Sequence, residues 1–128
     1  MKRVSKMLMV LCFSLLFISA NAFSEKISVD GTIKGANCVI NKTYCAEDGN
    51  DPHLALENTF VLVDDAGSYY FMAHLGKLKK MAWLNKKIHV EGNKNGKLIY
   101  VTSVYNVKSN NVMSKIWDWD EIREDLSR

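Results

Sequence analysis

Proline and cysteine are almost missing from this chain. A single proline, Pro52, occurs in 128 residues, so no proline-rich linker divides it. Three cysteines are too few for a disulfide-dense scaffold. None stands in a Cys-x-x-Cys or Cys-x-x-Cys-His arrangement, which argues against a reactive dithiol and against covalent haem. The three histidines, His53, His74 and His89, are scattered singly, with no His-Glu-x-x-His. Gly-x-Ser-x-Gly and phosphate-binding glycine loops are lacking too. An enzyme therefore has no motif to rest on, and neither a catalytic residue nor a cofactor is expected. Asp64-Asp65 reads as turn chemistry rather than an acid–base pair. No apolar run reaches the ~20 residues of a membrane-spanning helix.

What is present begins at the N-terminus. Lys2, Arg3 and Lys6 precede an apolar run, Met7 to Ile18, and Ala20-Asn21-Ala22 supplies the small-x-small pattern of a processing site. These three parts make a secretory signal peptide over residues 1–22, with a mature chain starting at Phe23. An exported protein, periplasmic or secreted, is expected, without a transmembrane anchor in its mature form. Processing also changes the charge. Three of the 17 basic residues lie in the leader and none of the 14 acidic ones do, so the mature chain is formally neutral. A general attraction to nucleic acid or anionic membrane is therefore not expected. The charges are segregated all the same. Glu47 to Asp65 is acidic, and Lys77 to Lys115 carries nine lysines opposed only by Glu91. Solvated faces explain this pattern, and a basic patch for an anionic partner is the sharper reading.

Cys12 leaves with the leader. Cys38 and Cys45 remain, and in an oxidising compartment they most simply form one disulfide. A metal-handling alternative for copper or zinc would use Cys38, Cys45 and His53 in one loop, with Met72, His74 and Met81 as further soft ligands. Oxidised cysteines could not serve it. Asn41-Lys42-Thr43 is a glycosylation sequon between the cysteines.

The mature chain suits one domain. Lys26 to Ile40 reads as a long first strand bent at Gly31 and Gly35, followed by a turn-rich loop to about Asn58. Thr59–Val63 and Ser68–Ala73 form a hairpin across Asp64-Asp65-Ala66-Gly67. Leu75–Lys86 shifts to helical spacing: Leu75, Leu78, Met81 or Ala82, and Asn85 recur on one stripe, with Lys77, Lys79 and Lys80 outward. Lys87–Gly92 and Leu98–Val107 are the last two strands, joined at Asn93-Lys94-Asn95-Gly96. The fold class is mainly β. The order strand–strand–strand–helix–strand–strand is that of a five-stranded Greek-key barrel of the OB type, over residues 23–110. Two phrases carry a family resemblance: Val29-Asp30-Gly31-Thr32-Ile33, and Leu84-Asn85-Lys86-Lys87-Ile88-His89-Val90-Glu91-Gly92-Asn93. Ile27 to Val107 resembles the small exported OB-fold proteins. The resemblance implies topology, and no functional residue is transferred by it.

The second and third strands are apolar on both faces: Phe60-Val61-Leu62-Val63, then Tyr69-Tyr70-Phe71-Met72. One face fills the interior, and the other needs a cover or a ligand. Tyr69, Tyr70 and Phe71 are the candidate binding face, where rings could stack on sugars or bases. Residues 111–128 are the candidate cover or docking element: an amphipathic helical tail, dispensable for folding, capped by Asp118 and striped by Ile116, Trp119, Ile122 and Leu126, with Trp117 alongside. The expected function is a non-catalytic exported binding or assembly module, whose partner is another envelope or exported protein. An oligosaccharide or nucleic-acid binder on the aromatic strand is the other alternative.

Overall fold

The computed structural model describes residues 24–128; the leader expected over 1–22 and its processing site lie outside the described residues. The described residues are mainly β. Six strands form one sheet in the order β3-β2-β1-β4-β5-β6, and a further β3–β5 pairing closes five of the strands into a ring. The strands are β1 (Glu25–Gly35), β2 (Phe60–Asp64), β3 (Tyr69–Ala73), β4 (Lys87–Asn95), β5 (Leu98–Val107) and β6 (Met113–Asp118). Helices are α1 (Ala36–Asn41), α2 (Lys77–Ala82) and α3 (Trp119–Leu126), with a 3-10 turn at Pro52–Leu56. No helix among the described residues is long and apolar enough to cross a membrane.

Alternation explains most of the strands. Ile33, Phe60, Leu62, Met72, Ile88, Val90, Ile99, Val101 and Val104 fill the ring interior at 3% exposure or less. Burying side chains of this size stabilises by ~1.5–3 kcal/mol each, which makes the pattern the main determinant of register. The β3–β5 contact is the parallel one, with Phe71 opposite Leu98, Met72 opposite Ile99 and Ala73 opposite Tyr100. At Gly92 the β4–β5 register shifts, and a Cβ there would run into the Tyr100 carbonyl, so the bulge requires glycine.

Three local expectations change. The first strand stops at Gly35, and Ala36–Asn41 turns into α1 instead of continuing to Ile40. The cause lies twenty residues downstream. The buried Glu57 carboxylate accepts from the Asn37 and Cys38 backbone N–H groups at 2.8 and 3.0 Å, satisfying the open first turn of α1. Gly35 packs against that carboxylate, leaving no room for a side chain.

Helix α2 is shorter and turned differently from the expected stripe. Leu75 and Leu84 are buried, whereas Leu78 is 81% exposed and Lys80 only 8%. Lys80 lays its stem along the core, and burial lowers its ammonium pKa. Asn85, expected in that stripe, leaves the helix at φ 59°. Its amide donates to the Ala46 and Glu47 carbonyls at 2.9 and 2.6 Å, tying the 42–51 loop to the ring. The Cys38–Cys45 disulfide is formed and closes the same segment, adding about 2.5 kcal/mol by loop-entropy estimate.

Gly35→Ala is expected to lower stability by roughly 2–3 kcal/mol, because it displaces Glu57 and leaves one buried and one half-buried donor unpaired. Urea denaturation should show that adding Glu57→Ala to it costs little more, since both changes break one contact. Lys80→Met is expected to raise the melting temperature by a few degrees near pH 7. With the folded pKa depressed, the native state gains stability as pH rises toward 10.5. The benefit of the substitution should therefore shrink along that range, as thermal melts at stepped pH will measure.

Candidate functional site

Strand alternation divides the aromatic strand. Tyr70 and Met72 point inward: Tyr70 packs on the core, and its hydroxyl reaches Asp64 Oδ2 at 3.4 Å. Tyr69 and Phe71 lie on the other face, with ring centroids 6.0 Å apart and edge to face. The sequence grouped all three as one binding surface, but the period of two separates Tyr70 from it. Val63 stands opposite Tyr69 and Val61 opposite Phe71.

Phe71 forms the floor of a groove of about 370 Å³, walled by α1 and by the segment leaving the 3-10 turn. Ala36, Asn37, Ile40 and Asn41 line one side, and Leu56, Glu57, Asn58 and Thr59 the other. Ile40 is 43% exposed and Leu56 66%, so two large aliphatic side chains meet solvent beside Phe71. Each wall has its own anchor. Glu57 holds α1, the Ala36 N–H donates to the Thr59 carbonyl at 3.0 Å, and the disulfide ties Cys38 back to the loop. Neither Ile40 nor Leu56 was singled out from the sequence. Leu56 left a faint signal: an apolar residue in a stretch otherwise rich in turn formers.

Lysines border the aromatic end. Lys97, in the β4–β5 turn, places its ammonium 4.5 Å from the Tyr69 ring centroid and 5.8 Å from that of Tyr70. Lys94 lies 5.6 Å from Tyr70. These are cation–π distances. Of the basic run from Lys77 to Lys115, only this pair meets the rings of β3.

The tail does not cover this face. Residues 111–128 were expected to be helical throughout; instead Met113–Asp118 is β6, paired with β5, and only Trp119–Leu126 is helix. Trp117 faces Val104 in register and is 7% exposed within the core. The tail therefore supplies a core side chain as well as a sixth strand. The Met-Ser-Lys-Ile-Trp run alternates well enough to pair, and β5 offers an open flank beyond the end of β3. Trp119 stacks on His74 at 4.1 Å with the planes 4° apart, while the His74 Nδ1 lies 3.1 Å from the Val101 carbonyl. Ile122 packs against the core, whereas Leu126 is 78% exposed and Ile116 37%.

Asp118 caps α3 as expected, accepting from the Asp120 N–H at 2.9 Å. The Lys115 ammonium at 2.8 Å, together with that N–H, holds the Asp118 carboxyl below its usual range. The cap is thus complete at neutral pH, and its contribution fades only as pH falls through the lowered carboxyl pKa.

The proposed ligand set of the metal alternative is not assembled. Cys38 and Cys45 are bonded to each other. The His53 ring lies against Tyr44 with centroids 4.3 Å apart and the planes tilted by 44°, and its Nδ1 is 2.8 Å from Asp51 Oδ1. Met72 is core, Met81 packs against it, and His74 is engaged with Trp119. Among the described residues, no group of three or more His, Cys, Asp or Glu side chains is placed to hold a metal ion. The sequence missed one polar cluster on the β1–β4 face: His89 sits between Asp30, at 2.6 Å, and Glu91, at 3.5 Å. Both ring nitrogens face carboxylates, so neither is left open to a ligand.

No protein-family model matches this chain, and no curated protein or solved structure matches it either.

Trp117→Ala should cost about 3–5 kcal/mol, as expected for a core tryptophan. Trp119→Ala should cost less than Trp117→Ala but more than the ~0.5–1.5 kcal/mol of its aromatic pair alone, because the ring also packs against the core. Chain truncated after Asn111 is expected to lose cooperative unfolding. Chemical denaturation followed by far-ultraviolet circular dichroism measures all three.

Proposed function

We propose that this protein is an exported, non-catalytic binding or assembly module built on an OB-like barrel. It engages another envelope or exported protein through the outer face of β3 and the adjoining groove. One observation carries this reading: Ile40, Leu56 and Phe71 form an exposed apolar notch with rigidly anchored walls. Large apolar surface that the chain leaves uncovered signals a partner. The barrel assignment is supported by the closed strand ring and by a helix between the third and fourth strands. Export is supported by the leader sequence and by the disulfide. The groove, rather than the tail, is the docking element, since Trp117 and Trp119 are engaged within the chain. Metal handling through Cys38, Cys45 and His53 is not favoured by the bonded sulfurs, and the neutral mature chain disfavours nucleic acid.

The test uses the mature protein as bait in a detergent-solubilised envelope fraction. Leu56→Asp and Phe71→Ala are expected to lower recovery of a specific partner at least tenfold, with melting temperatures within a few degrees of wild type. Undiminished recovery by both variants would overturn the assignment.

A further inference from the structure

The lining of the groove restricts what can occupy it. Ile40, Leu56 and Phe71 provide the apolar notch, while Asn37, Asn41 and Asn58 rim it with amides, the Asn41 Nδ2 donating to the Asn37 Oδ1 and each amide keeping further donor or acceptor capacity. A purely apolar occupant would strip water from those amides and return no hydrogen bonds. A sugar would satisfy the amides but gain little from two aliphatic walls. An extended polypeptide does both. Its main-chain N–H and C=O groups pair with asparagine side chains, while one side chain fills the notch.

Charge narrows the choice further. The Phe71 N–H donates to the Lys97 carbonyl at 2.7 Å, so Lys97 adjoins the floor of the notch. Its ammonium lies 4.5 Å from the ring centroid of Tyr69, the neighbour of Phe71 on the same face. The groove's own carboxylate, Glu57, is turned onto the Asn37 and Cys38 N–H groups. Buried and held there, that carboxylate is directed at the α1 backbone rather than at an occupant. Resting on the binding-module reading above, we propose that the groove takes an extended acidic segment of another exported protein. That segment carries one large apolar side chain for the Ile40/Leu56/Phe71 notch and a neighbouring Asp or Glu for Lys97.

Panning a random heptapeptide library on the immobilised mature protein tests this directly. Enriched peptides should combine Leu, Ile, Met or Phe with Asp or Glu. A fluorescent copy of the most enriched peptide should bind at least tenfold more weakly to Leu56→Asp and at least threefold more weakly to Lys97→Ala. Both positions are exposed, and thermal melts verify that the variants stay folded. Enrichment of basic peptides, no enrichment, or binding indifferent to both substitutions overturns the proposal. So does a Leu56-dependent dimer in sedimentation velocity, or Leu56-dependent binding of polygalacturonate. If the envelope partner depends on Phe71 while the library yields no acidic peptides, the acidic segment is wrong and the module stands. If Phe71→Ala and Leu56→Asp leave partner recovery intact, both fall.

Discussion

Everything in this molecule is arranged around β5. Its Leu98–Tyr100 stretch pairs with β3 on one flank, its whole length follows β4 on the other, and its far end receives β6. The β3–β5 contact turns an open sheet into a ring and so removes two edges that would otherwise invite pairing with other chains. It also sets where function can lie. Once Met72 and Ile99 are locked inward, alternation sends Tyr69 and Phe71 outward, next to Lys97 of the β4–β5 turn. The exposed aromatic face follows from closing the ring. It is not an independent decoration.

A second constraint shapes what stands beside that face. Glu57 is buried, carries a carboxylate, and meets the first turn of α1 rather than a basic side chain. Backbone donors at a helix start are directed and immobile, so the carboxylate fixes α1 more precisely than a flexible lysine would. Because Glu57 follows directly after Leu56, holding the carboxylate also fixes the ridge opposite Ile40. The groove walls are thus two ends of one interaction. Gly35 is the condition for it, since any Cβ would occupy the place of the carboxylate.

Elements governed by local period were legible in the sequence. The β2–β3 hairpin, β5, the Asp118 cap and the disulfide all follow from alternation, turn chemistry or compartment. What escaped depended on distant partners. Nothing between Gly35 and Asn41 announces a helix, because its stabilising carboxylate comes from Glu57. Lys80 reads as a solvated lysine and Leu78 as core, yet the short helix turns the other way, and the length of the lysine stem lets it bury. Asn85 fits a helical stripe by spacing, but the left-handed conformation that asparagine tolerates makes it a loop staple. Of the candidate site, Tyr69 and Phe71 were visible, whereas the notch was not. Ile40 and Leu56 lie sixteen positions apart and reach one groove through the Glu57 and Ala36–Thr59 contacts, neither of which is local in sequence.

The tail shows how an amphipathic pattern can mislead about its own purpose. Asp118, Glu121 and the Trp119/Ile122/Leu126 spacing announce a helix, and a capped helix with apolar residues suggests an adapter. Trp117 stands one residue outside the cap, where the strand period still rules, and that one-residue difference puts it in the core. Only the first turn of α3 then has anything to pack on: Trp119 finds His74 and Ile122 finds the core, while Leu126 runs out into solvent. A segment that contributes a core tryptophan and a sixth strand cannot leave its own chain to bind another without undoing β5 pairing. A recognition surface has to be one the fold can lose to a partner at no structural cost. The Ile40/Leu56/Phe71 notch meets that condition, because its walls are held from behind by Glu57 and the disulfide while its apolar faces hold nothing.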